Sequence, residues 1–170
     1  MLAVMTYQAF LSQWESRSLI SIIICLEILA CVCDLGIVLR WNVALGIPDL
    51  AWAAFGSVAI QFFTMGFNFL IPYILVSKIT PAHVEATVFA FASMVINTAW
   101  PMGRLMGTVW NKLFGVDAEN MENLDQLIML TIALTLVTFC YLPLIPSWEA
   151  IQKVQKNLTK LNSDEVVDLR

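Results

Sequence analysis

Charge is what this sequence has least of. Only 13% of its 170 residues are charged, while 59% are hydrophobic. A soluble domain of this length needs far more polar surface to cover its core, so the composition excludes an ordinary soluble fold and points to a membrane protein. Histidine is nearly absent, with one residue in the chain. No metal-ligand cluster and no nucleophile–base pair can be assembled around it, so an enzyme, a metal site and a cofactor are not expected. Basic residues form no patch outside the C-terminal tail, which argues against nucleic acid as a partner. Cysteine is sparse. Cys25, Cys31, Cys33 and Cys140 all sit inside apolar runs, in neither a disulfide-like nor a C-x-x-C arrangement, and read as small hydrophobes.

What the chain does have is long apolar runs. A helix needs about 20 apolar residues to cross a bilayer, and four runs qualify, at about 19–39, 50–76, 84–110 and 124–144. Pro48 is placed to start the second helix, and Gly115 to stop the third. No alternating ten-residue pattern marks a barrel strand. The expected fold is all-α: a polytopic bundle of four transmembrane helices with short loops and antiparallel neighbours, occupying residues 17–146. Two amphipathic pieces flank it. Residues 1–16 carry Tyr7, Phe10, Leu11 and Trp14, and form either a surface helix or the end of a preceding one. Residues 147–170 carry Ile151, Val154, Leu158 and Leu161 between lysines, the pattern of a helix lying on a membrane surface. No charged n-region precedes the start, so a cleaved signal peptide is not expected.

The basic residues orient the bundle. Arg17, Lys78, Lys153, Lys156, Lys160 and Arg170 fall on one side, Arg40 and Lys112 on the other. Six against two places both termini in the cytoplasm. The sequon Asn157-Leu158-Thr159 then faces the wrong compartment for glycosylation.

Polar residues inside the spans carry the functional signal. Glu27 and Asp34 are seven residues apart, as are Gln61 and Asn68, and Asn97 and Arg104. Seven residues is nearly two turns, so each pair shares one helix face. Ionisable groups in a bilayer face protein or water, so the stripes should turn inward, toward a polar cleft or interhelical ion pairs. Several bland readings stand beside this one. Asn and Gln often simply hydrogen-bond a neighbouring helix. Glu85 suits the positive end of its helix dipole. Arg104 lies near a helix end, where it can snorkel. His83 reads as a passive turn residue. Gly103-x-x-x-Gly107 permits close helix packing, though the motif is common.

Two longer blocks resemble a known family. "RWNVALGIPDLAW" and "KITPAHVEATVFAFASMVINTAWPMGRLMGTVWNKLFGVD" are similar to conserved segments of the folate-biopterin transporter family, a branch of the major facilitator superfamily. The matching positions are Pro81, Glu85, Ala86, Thr87, Val88, Phe89, Ala90, Asn97, Gly103, Gly107 and Phe114-Gly115-Val116. Asp34 matches an acidic position before the turn, and Asp49 is the acid of the turn itself. The chain departs from the pattern at Trp100, Pro101 and Arg104, which would line or abut the cleft.

The resemblance implies a transporter of about twelve helices in two halves, of which this chain would supply the C-terminal four. Its partners would be the lipid bilayer, a folate- or pterin-like solute, and the missing N-terminal helices or other subunits. Gln61, Asn68 and Asn97 would hydrogen-bond the solute, and Arg104 would attract an anionic tail. Asp34 or Glu27 would carry a proton. The competing expectation is a non-transporting membrane scaffold or assembly subunit, in which the polar stripes are interhelical glue.

Overall fold

The structure is a computed structural model. It describes residues 5–11, 14–81, 84–117 and 119–157. His83 and the tail positions Leu158, Leu161, Lys160 and Arg170 lie outside these. The described residues contain helices and no strand. Four long helices follow the four apolar runs: α1 (Ser16–Val38), a short connecting α2 (Trp41–Ala44), α3 (Asp49–Ile79), α4 (Glu85–Phe114) and α5 (Leu124–Leu144). A final helix, α6, covers 148–157.

Among the described residues, three helices are both long and apolar enough to cross a membrane: α1, α3 and α5. The expected third span, α4, is long at 30 residues but less apolar. Glu85, Asn97, Arg104, Asn111 and Lys112 dilute it. Its length matches the expected apolar run at 84–110, and its polar content sets it apart.

The ends follow local chemistry. Pro48, with φ −60° and ψ 142°, is the residue from which α3 starts. Its ring fixes φ and has no N–H to leave unpaired. Gly115 ends α4 in the left-handed region at φ +66°, and the Val116 N–H returns to the Asn111 carbonyl at 2.9 Å. α3 continues through Pro72 and α4 through Pro101, while Pro143 lies in the last, tighter turn of α5.

α1 is the centre of the bundle, packed against both α3 and α5, while α4 touches α3 and α5 more lightly. Leu19 and Ile23 of α1 bury against Phe67 and Ile71 of α3, and Tyr7, Leu11 and Ile20 cover them. Farther along, glycines let the backbones approach. A Cβ on Gly56 would lie 3.2 Å from the Cys33 Cβ, and one on Gly36 3.2 Å from the Trp52 ring. The Trp52 indole N–H donates to the Cys33 carbonyl at 2.9 Å. Gly103 and Gly107 meet nothing within 4 Å, so that motif faces away from these four helices.

One end of the bundle is fastened by Arg17. Its guanidinium donates to the Ile145 carbonyl at 2.6 and 2.8 Å and to the Pro143 carbonyl at 3.2 Å. These carbonyls are at the end of α5, where helix carbonyls lack partners and attract cations. Beside it, Lys78 lies 4.8 Å from the Trp148 ring centre, and Ile151 of α6 is buried. At the opposite end, Arg40 pairs with Asp49 at 3.2 Å. The buried Asn42 amide donates to the Ile47 carbonyl and to Asp49. Asp49 therefore braces the α1–α3 turn.

Candidate functional site

The polar stripes of α1 and α3 meet. Asn68 donates to the Glu27 carboxylate at 2.5 Å, and Gln61 donates to Asp34 at 3.2 Å. The seven-residue spacing is repeated on both helices, and the helices run antiparallel. Moving up α1 from Glu27 to Asp34 therefore matches moving down α3 from Asn68 to Gln61. Two carboxylates inside apolar spans are costly unless hydrogen-bonded or hydrated. Here each meets an amide from the neighbouring helix, where an ion pair with a basic residue was the alternative.

These pairs border a cleft of about 380 Å³. All four long helices line it: Glu27, Ala30 and Cys31 from α1; Gln61, Thr64, Met65 and Asn68 from α3; Trp100 from α4; Thr131 and Thr135 from α5. The volume falls in the range of small-molecule sites. Trp100 is steadied by Phe69, which stacks on it with ring centres 5.3 Å apart and planes 13° from parallel. The Arg104 guanidinium sits 5.9 Å from the Trp100 ring centre.

Four expected residues thus line the cleft, namely Glu27, Gln61, Asn68 and Trp100. Asp34 touches it only through Gln61. Asn97 and Arg104 are exposed on α4 and do not line it. Glu85 is exposed in the first turn of α4, close to the helix's positive end. Pro81 is exposed in the segment before it. Sequence reasoning missed Thr64, Thr131 and Thr135. The signal was there for α5, since 131 and 135 are one turn apart and share a face. Among the described residues no cluster of metal-ligating side chains occurs.

A profile of the BT1 family matches residues 1–166. The chain belongs to that family. A folate-biopterin transporter of Synechocystis is 28% identical over 141 residues, covering 83% of this chain and 28% of that protein. A probable folate-biopterin transporter 6 of Arabidopsis thaliana is 28% identical over 149 residues, covering 86% of this chain and 29% of the relative. This chain therefore spans less than a third of the length of these relatives. No solved structure matches the chain. Apolar helices and family together make it an integral, multi-pass membrane protein.

Proposed function

We propose that this chain is the C-terminal four-helix part of a transporter for folate- or pterin-type solutes, coupled to protons and working by alternating access in the complete protein. It acts by moving a solute and not by catalysis. The observation that carries the reading is a cleft among apolar helices, lined by the Asn68-bonded Glu27 carboxylate together with Gln61 and three threonines. The names of its relatives supply the solute class. Alternating access needs two halves that rock about a central site, so the remaining helices come from the rest of the polypeptide or from other subunits. Both termini of this part face the cytoplasm, in keeping with the excess of Lys and Arg on that side.

Glu27 and Asp34 are the two groups in the spans able to take up a proton between neighbouring helices. A proton on either carboxylate changes its bond to Asn68 or Gln61, which links protonation to the α1–α3 contact. Asn97 and Arg104, on the open side of α4, are placed to meet the missing helices or the anionic tail of a folate.

A second reading has its own support. The amide–carboxylate pairs would also serve as glue in a non-transporting scaffold. Uptake separates the two. The complete reading frame, traced through the 5′ end of its transcript, is reconstituted in liposomes and supplied with labelled folate or biopterin. Accumulation that rises with an inward proton gradient is expected. Absence of uptake for both solutes would rule out the transporter reading and leave the scaffold.

A further inference from the structure

The cleft's carboxylate and threonine oxygens are hydrogen-bond acceptors, and they select the edge of the solute held beside them. Three threonines line it, and each has already committed its hydroxyl proton to its own helix. Thr64 donates to the Gln61 carbonyl at 3.2 Å, Thr131 to the Leu127 carbonyl at 2.9 Å, and Thr135 to the Thr131 carbonyl at 2.9 Å. Toward the cleft their oxygens present lone pairs only. Glu27 adds a carboxylate with about four acceptor sites, of which the Asn68 amide takes one. Asn68 also fixes the carboxylate's direction, because the bond at 2.5 Å ties Oε1 to α3. Trp100 closes one side with an aromatic wall held by Phe69.

A flat ring with two adjacent N–H groups fits such a wall and such a carboxylate. The 2-amino-4-oxopyrimidine ring of a pterin has this edge: its exocyclic amino group and the neighbouring ring N–H point the same way. They can meet the two oxygens of one carboxylate as a parallel pair, the geometry that makes guanidinium–carboxylate contacts strong. We propose that Glu27 is the specificity-determining residue of the cleft, accepting from the 2-amino group and adjacent ring N–H of the solute, with Asn68 as the residue that positions it. This rests on the transporter reading of the cleft and names which part of the solute lies there. The assignment leaves Asp34, which does not line the cleft, as the carboxylate free to exchange a proton.

The test is a comparison of two ligands. Pterin and lumazine are titrated calorimetrically into the complete protein in lipid nanodiscs. Lumazine carries an oxygen where pterin carries the 2-amino group, so it replaces a donor with an acceptor facing Glu27. A site built to hydrogen-bond a donor rejects an analogue lacking it strongly. Pterin is therefore expected to bind at least roughly tenfold more tightly than lumazine. In Glu27→Gln the preference should collapse, because the side-chain amide offers one acceptor and one donor. Asn68→Ala should weaken pterin binding while keeping part of the preference, as befits a residue that acts through Glu27. The ligand comparison on the unsubstituted protein needs no variant to fold. Equal affinity for pterin and lumazine would overturn the proposal and leave the transporter reading standing. So would a Glu27→Gln protein that folds and weakens both ligands alike. Binding of neither pteridine would overturn both.

Discussion

The Asn68 amide and the Glu27 carboxylate meet at 2.5 Å across the antiparallel α1–α3 contact, and Gln61 repeats the contact with Asp34 two turns away at 3.2 Å. One geometric rule produces both. A seven-residue step on each helix keeps each pair on one face, and opposite chain directions bring the first of one to the last of the other. The structure therefore predicts energetic coupling within each pair and little between the pairs. A double-mutant cycle of Asn68→Ala and Glu27→Gln, read by thermal unfolding in detergent, should give a coupling of about 1 kcal/mol, the scale of an interhelical hydrogen bond. A cycle of Asn68→Ala and Asp34→Asn should give close to zero.

Glycines distinguish packed faces from open ones. Gly36→Ala drives a methyl toward the Trp52 ring, and Gly56→Ala drives one toward Cys33. Each should lower the unfolding midpoint, at a cost of about 1–3 kcal/mol for overpacking. Gly103→Ala and Gly107→Ala meet open space. They should leave the four-helix part unchanged, or stabilise α4 by up to about 1 kcal/mol through helix propensity. A marked loss at 103 or 107 in the complete protein would locate a close helix contact with the segments outside this chain.

Arg17 fastens α1 to the end of α5 through a fork of donors to two carbonyls. Arg17→Gln should destabilise the bundle and expose the Pro143–Pro146 segment to protease. Arg17→Lys should rescue little, because an ammonium cannot reproduce the planar fork. A charge-assisted contact of this kind is worth about 1.5–3 kcal/mol. Full rescue by lysine would mean that charge alone, and not geometry, holds the junction.

On the proposed reading, the proton-coupling group is Asp34, the carboxylate that the solute leaves free. Asp34→Asn should retain solute binding and exchange, yet lose accumulation driven by an inward proton gradient. Uptake by this variant that still rises with the gradient would move the proton to another group.

The sequence made the spans legible because apolar runs of bilayer length have few other uses. It made the α1–α3 pairs legible as stripes, since spacing alone fixes a helix face. It did not show which stripes would meet. Asn97 and Arg104 have the same spacing as the other pairs and flank Trp100 on its helix face, yet only the Trp100 ring is long enough to reach the cleft, because α4 packs lightly against its neighbours. Thr131 and Thr135 were hidden by their chemistry. A threonine that bonds its own helix backbone sits comfortably in an apolar run and leaves no hydropathy signal. The glycine motif finds no partner among the described helices. Gly103-x-x-x-Gly107 has a recognisable pattern but open surroundings, whereas the isolated Gly36 and Gly56 sit where backbones approach.

The central claim is that a solute occupies the cleft bordered by Glu27, Asn68 and Trp100, and Cys31 is a natural reporter on its wall. In the complete protein, Cys25, Cys33 and Cys140 are replaced by serine, as are any cysteines outside this chain. The rate at which a small, charged thiol reagent modifies Cys31 is then measured with and without saturating biopterin. The account predicts that Cys31 reacts, since a water-filled cleft admits the reagent, and that biopterin slows the reaction severalfold. A Cys31 that reacts at the same rate with and without biopterin, in protein that binds biopterin, would place the solute elsewhere and contradict the account.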